Sequence, residues 1–322
     1  YITSYRRLME SIGVQDGEQN LFHGILEGID HADYILMRAP KPTLVMATTR
    51  DFFSIQGTRE TCSEVKKMYD VLGKPGNFEL TEDDDGHTYT KKNREAMYAF
   101  FQKHLNLPGS AEEIEVEYLT EKELRKTKTG QLASSTNHKT VFDLNRDESE
   151  KLLDRLKESR NSDANYLVGI MDHAKQIAGY REPSFSDQPV FTGRIQKEDH
   201  VIEKYFIKGG GDYVIPYLMI IPDKVSNKAA ICLFPEGKSA AAERKEIEMF
   251  IERGYRILIP DLVGTGELGN ETFKGDAYIE DISYNIYFTA MLTGRSIVGI
   301  GASDVVKLSR ILSQREEVDE VM

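Results

Sequence analysis

Two side chains stand where a proton relay could be built. Asp51 follows the apolar, β-branched run Pro42-Thr-Leu-Val-Met-Ala-Thr-Thr49, and His87 follows the alternating run Asn77-Phe-Glu-Leu-Thr-Glu82. One amphipathic stretch separates the two runs. If the runs are adjacent parallel strands, residues just past their carboxyl ends share one rim of the sheet. The carboxylate would then orient the imidazole and stabilise its protonated form, leaving the second ring nitrogen to take a proton from a hydroxyl. On spacing alone a plainer alternative stays open, in which Asp51 caps a turn and His87 is a solvated residue in an acidic loop.

The other histidines have weaker settings. His23 and His31 fall in a stretch that reads as irregular, His104 sits in the last turn of a helix where a cation suits the dipole, and His138, His173 and His200 follow no strand end. The triple Asp83, Asp84 and Asp85 lacks regular ligand spacing and reads as a solvated turn rather than a cation site. Gly237-Lys-Ser239 has the ending of a phosphate loop, but the first glycine of that motif would fall at Cys232, and Pro235 and Glu236 interrupt the loop. Cys62 and Cys232 show no paired spacing, so neither a disulfide framework nor a zinc knuckle is indicated. No metal and no cofactor are expected.

The elements that must position Asp51 and His87 alternate. A strand over 42–49 precedes a helix over 58–72, with Val65, Met68, Tyr69 and Leu72 in helical spacing and Gly73 as its stop. A strand over 77–82 then precedes a helix over about 91–105, ending before Pro108-Gly109. Strand, helix, strand, helix implies an α/β fold with a parallel sheet. The composition turns polar over 110–139, which reads as a linker. Helices are predicted over 147–160 and 164–178, and a hairpin over 201–221 about Lys208-Gly-Gly-Gly-Asp212. Strand 229–234, helix 242–253, strand 255–260 and a long helix over about 296–314 then begin a second α/β pattern.

Composition narrows the partners. The chain has 322 residues, 40% of them hydrophobic and 29% charged, and a formal net charge of −12. Its length points to two domains. The acidic balance disfavours nucleic acid and anionic lipid, and no apolar run approaches the about 20 residues that span a bilayer. A neutral or polar small substrate fits better. The chain opens on Tyr1 and closes on Val321-Met322, and both ends read as cut.

Thr49-Arg-Asp-Phe-Phe-Ser-Ile-Gln-Gly-Thr58 and Asp84-Asp-Gly-His-Thr-Tyr89, with Gln15-Asp-Gly-Glu-Gln19 and Asp30-His-Ala-Asp-Tyr34 upstream, resemble the acetyl xylan esterase-like family of α/β-hydrolases. The similarity extends over most of residues 1–145, through Thr129-Gly-Gln131 and Val141-Phe-Asp-Leu-Asn145. The resemblance implies that Asp51 is the triad acid and His87 the general base, in the order acid then histidine after an upstream serine. It implies removal of acetyl groups from plant polysaccharide or oligosaccharide, without a cofactor, in a periplasmic or secreted setting. Oligomeric state is not legible.

This chain departs from the family in one respect: the Gly-x-Ser-x-Gly elbow that would present the nucleophile occurs nowhere in it. Gly237-Lys-Ser-Ala-Ala241 and Gly294-Arg-Ser-Ile-Val298 each lack the final glycine, Ser4 lacks both flanking ones, and Ser11, though followed by Gly13, has Met9 in place of the first. Phe234-Pro-Glu-Gly237 stands where such hydrolases often carry His-Gly, Gly264-Thr-Gly-Glu267 resembles the loop after the next strand, and Gly294 to Asp304 resembles the helix leading to the elbow strand. The expected organisation is therefore the C-terminal part of one α/β-hydrolase module (1–109), a connecting arm (110–145), and the N-terminal part of a second, degenerate module (146–322). As written, the chain is not expected to hydrolyse esters alone. Two rival readings are a prolyl-oligopeptidase or dienelactone-hydrolase type of serine hydrolase, and a non-catalytic carbohydrate-binding or scaffolding protein on a hydrolase fold.

Overall fold

A computed structural model of the chain describes residues 2–322 apart from 15, 137, 163–165, 270–277, 280–281 and 316–317. Residues 1–108 and 175–322 make one compact unit and residues 109–174 a second.

The first unit begins with helices α1 (Tyr5–Met9) and α2 (His31–Leu36), then strand β1 (Thr43–Thr48), helix α3 (Ile55–Val71), strand β2 (Phe78–Asp83) and helix α4 (Lys91–Leu105). Helix α3 starts three residues before the expected position because Ser54 caps it, its hydroxyl accepting from Gly57 N–H. Strands β1 and β2 pair in parallel, with Thr43 opposite Phe78 and Thr48 opposite Asp83. Their carboxyl ends are therefore level, and the loops carrying Asp51 and His87 leave the same rim. Val45 and Phe78 from this sheet, Cys62, Val65 and Tyr69 from α3, and Ala32 and Ile35 from α2 form one buried cluster. Met68 and Leu72, on the same predicted stripe, remain substantially exposed.

The second unit contains the short helices α5 (Glu121–Leu124) and α6 (Leu132–Ser135), then α7 (Val141–Ser162) and the start of α8 (Tyr166–Ile177). Helix α7 begins six residues before the expected Asp147 because Thr140 and Asp143 close a reciprocal cap: Thr140 N–H donates to Asp143 Oδ2, and Asp143 N–H to Thr140 Oγ1. The predicted start of the next helix, Ala164, lies outside the described residues.

The remainder of the first unit supplies strands β3 (Val190–Gln196), β4 (His200–Lys208), β5 (Val214–Pro222) and β6 (Lys228–Ile231), helix α9 (Lys245–Glu252) and strand β7 (Arg256–Pro260). Two-residue strands β8 (Tyr278–Ile279) and β9 (Ile282–Ser283) follow, then helices α10 (Tyr284–Leu292) and α11 (Ile297–Ser313) and strand β10 (Glu320–Val321). Six of these strands form one sheet in the order β10-β6-β7-β5-β4-β3. It is mixed rather than wholly parallel. Pairs β10–β6 and β6–β7 are parallel, whereas β3–β4, β4–β5 and β5–β7 are antiparallel. The physical reason lies in the connections: the few residues between β3 and β4, and between β4 and β5, allow only a hairpin, while parallel neighbours need a crossover.

The period-two alternation of a strand distributes this sheet's side chains. Ile215, Tyr217 and Met219 of β5 and Leu258 of β7 join Leu308 and Leu312 of α11 on one face; Ile220, Ile257 and Ile259 join Ile247 of α9 on the other. Leu308 and Leu312 are wholly buried, and each contributes roughly 1.5–3 kcal/mol by leaving water. A third cluster, of Tyr5, Leu8, Val14, Phe53 and Leu292, joins the amino-terminal stretch to α10. Gly13, at φ +83°, permits the close approach there, since a Cβ would lie 1.6 Å from Asn285 Oδ1. Among the described residues no helix is long and apolar enough to cross a membrane.

Candidate active site

The β1–β2 ladder continues past the strand ends. Thr49 N–H donates to Asp83 O and Arg50 N–H to Asp85 O, both at 2.9 Å, which clamps the two rim loops together. Thr49 Oγ1 donates to Asp84 Oδ1 at 2.6 Å, while the Arg50 guanidinium reaches the carboxylate and the carbonyl of Asp84. The Thr49 hydroxyl, followed by the Arg50 charge, holds the Asp84 carboxyl below its usual range, and the Thr90 hydroxyl does the same for Asp83. These acids therefore serve the loop's own bonding. Among the described residues no group of three His, Cys, Asp or Glu side chains is arranged to hold a metal ion.

Asp51 and His87 meet on this rim. His87 Nδ1 lies 2.9 Å from Asp51 Oδ2 and 3.1 Å from Oδ1. The carboxylate is held from behind: Thr48 Oγ1 donates to Oδ2 at 3.2 Å and Phe53 N–H donates to Oδ1 at 3.0 Å. The Asp51 side chain is 15% exposed and the His87 side chain 34%, so the acid is largely shielded while the imidazole reaches solvent. Phe52 and Phe53 flank that imidazole, with ring centroids 4.4 and 5.9 Å away. Chemically, a shielded carboxylate bonded to Nδ1 fixes one tautomer, which is the arrangement a histidine needs to act as a general base.

Sequence reasoning located Asp51 and His87 but not Thr48, Phe52 or Phe53 around them. A signal for Phe53 was present, because an Asp that bonds the N–H two residues on is a recurrent turn. The approach of Phe52 to His87 had none.

His31, expected in an irregular stretch, instead opens helix α2. Asp30 and Asp33 form its capping box, and the imidazole is 1% exposed, with Nδ1 accepting from Thr3 N–H. Burial lowers its pKa to about 4 against the smaller upward pull of Asp30, so this ring is neutral and structural.

The loops after β6 and β7 form a second polar cluster. Asp261 is fully buried, accepts from Lys238 N–H at 2.6 Å and from Glu267 N–H at 2.8 Å, and pairs with the Lys238 ammonium. That ammonium also contacts Glu267 Oε1 at 2.5 Å. Gly266, at φ +50°, lies so close to Asp261 that a Cβ would stand 2.2 Å from its Oδ1. Lys238 is thus committed to two carboxylates, a setting suited to tying loops together and not to a phosphate. On α11, Asp304 is buried, accepts from Tyr213 OH at 2.9 and 3.0 Å, and is pushed up to about 6 by burial.

An apolar recess of about 420 Å³, lined by Met9, Asn285, Ile286, Ala290 and Ile300 among others, does not include the Asp51–His87 pair.

No protein-family model and no curated protein sequence matches this chain. Among solved structures, the chain is similar to a Bacteroides fragilis protein assigned as an acetyl xylan esterase, with 17% identity, a TM-score of 0.38, and 46% of this chain and 44% of that chain covered. It is also similar to acetyl xylan esterase 1 from Thermoanaerobacterium sp., with 14% identity, a TM-score of 0.33, and 46% and 45% covered. The match thus spans less than half the length of either structure.

Proposed function

We propose that Asp51 and His87 are the acid and base of a serine carboxylic ester hydrolase, and that its substrate is an acetylated plant polysaccharide or oligosaccharide. The observation that carries this reading is the bond from His87 Nδ1 to a carboxylate that Thr48 and Phe53 hold in place. A serine hydroxyl attacks the acetyl carbonyl and gives its proton to His87 Nε2. Asp51 stabilises the imidazolium, and His87 returns the proton to the departing sugar oxygen. Water, activated in the same way, then releases acetate from the acyl-enzyme. The scheme needs a serine presented at Nε2 by a segment that is not in this sequence, which contains no Gly-x-Ser-x-Gly elbow.

Within the same proposal, residues 1–109 are the C-terminal part of the catalytic module, 110–145 an arm, and 146–322 the N-terminal part of a second, degenerate module. The test is acetate release from acetylated xylan by the protein that carries this sequence. His87→Gln lowers kcat at least about a thousandfold if His87 is the base, and unchanged activity refutes the assignment. Hydrolysis of dipeptidyl amides in preference to acetylated xylan would move the substrate class to the peptidase-like alternative.

A further inference from the structure

We infer that the cleft between helix α11 and the stretch before β3 is a binding site for the carboxylate of a small organic acid. The inference is independent of the reading of Asp51 and His87.

Helical spacing builds one wall. Lys307, Arg310, Ile311 and Gln314 recur at steps of three and four along α11 and so share a face, while Leu308 and Leu312 turn into the core. Phe185, Asp187, Gln188 and Pro189, from the stretch before β3, and Ile207 of β4 complete a cleft of about 320 Å³. That volume lies at the lower end of the range for small-molecule sites, about 300–1,000 Å³.

The charges of the cleft do not cancel. Lys307 is 3% exposed, and its ammonium donates to Asp187 Oδ2 at 2.6 Å and to Lys208 O at 2.7 Å. The ammonium holds the Asp187 carboxyl below its usual range, so this pair is one cation and one anion. An ammonium has three N–H groups, and the third has no acceptor among the described residues. Arg310 is exposed and lies over the Phe185 ring, 4.3 Å from its centroid. Its guanidinium makes no hydrogen bond or ion pair with any described residue. The ring contact holds the guanidinium in place but satisfies none of its N–H donors. With Arg315 also on the cleft, cations outnumber carboxylates there, in a chain whose net charge is −12.

The lining favours a carboxylate over a phosphate. The planar fork of Arg310 matches two carboxylate oxygens, and the third Lys307 N–H adds a charged donor. Asp187 stands in the same cleft and opposes a second negative charge. Pro189, Ile207 and Ile311 offer apolar surface to a hydrocarbon body, which inorganic phosphate lacks.

The experiment titrates the whole chain with sodium benzoate at constant ionic strength, read by the Ile311 backbone signal in ¹H–¹⁵N spectra. Benzoate gives a saturable shift with a millimolar Kd, and the neutral isostere benzamide binds at least about tenfold more weakly. Arg310→Gln weakens benzoate about tenfold; because Arg310 is exposed and unpaired, its urea midpoint stays that of the wild type. Asp187→Asn removes the repelling charge and frees the Lys307 ammonium, tightening benzoate about threefold or more. Absence of a saturable shift up to about 50 mM benzoate overturns the site outright. Benzamide binding as tightly as benzoate, Arg310→Gln binding like the wild type, or Asp187→Asn binding no more tightly would show that charge does not govern the cleft. Sodium phosphate binding more tightly than benzoate would overturn the carboxylate assignment.

Discussion

Replacing His31 by Gln removes an acid-sensitive element from the fold, and the size of the effect follows from burial. The His31 pKa falls from its ordinary 6.5 to about 4 because the ring is desolvated. The unfolded chain therefore binds the proton more readily than the folded one between these values. His31 supports stability fully above pH 6.5, the support shrinks as pH falls, and the loss is complete near pH 4. Linkage gives about 2 kcal/mol lost between pH 7 and pH 5, and about 3 kcal/mol in all. Asp304 runs the other way. Its raised pKa of about 6 means that it stabilises most at low pH and loses that contribution as pH rises through 6, so lowering the pH from 7 to 5 restores about 1.5 kcal/mol. These two contributions oppose each other, so the diagnostic quantity is the difference between wild type and His31→Gln. Urea unfolding at pH 7 and pH 5 measures it: the wild type loses about 2 kcal/mol more than the variant on acidification. Equal losses in the two proteins would refute the assignment of His31 as a buried neutral ring.

Two further substitutions test the packing of the six-stranded sheet and of its loops. Leu308→Ala opens a cavity beneath the six-stranded sheet, where the side chain is wholly buried, and lowers unfolding free energy by about 2–5 kcal/mol in the same urea assay. Lys238→Met leaves the buried Asp261 carboxylate with backbone N–H donors and no cation, costing about 3–5 kcal/mol; a loss below about 1 kcal/mol would show that the two loops are held by other means.

What the sequence disclosed, and what it hid, divides by the range of the forces involved. Strands β1 and β2 and helices α3 and α4 are set by local periodicity and by Ser54, Gly73 and Pro108, all visible in the sequence, so residues just past the strand ends could be named. Helix boundaries set by side-chain caps were read late, as at Ser54 and Thr140, because the hydrophobic stripe begins after the cap. Helix α10 was missed because Tyr284–Leu292 is apolar on every side and offers no stripe. Helix α2 was missed because it is only six residues long, although Asp30 and Asp33 carry its capping signature. Phe52 meets the His87 ring only when two loops from neighbouring strands come together, which no local pattern records.

The coupling of Asp51 to His87 is the centre of the account, and a double-mutant cycle on acetate release from acetylated xylan tests it most directly. If the two act as one relay, Asp51→Asn and His87→Gln each lower kcat at least about a thousandfold, and the double variant is no more than about tenfold worse than His87→Gln alone. Losses that multiply in the double variant, or a single variant that retains wild-type kcat, would contradict it.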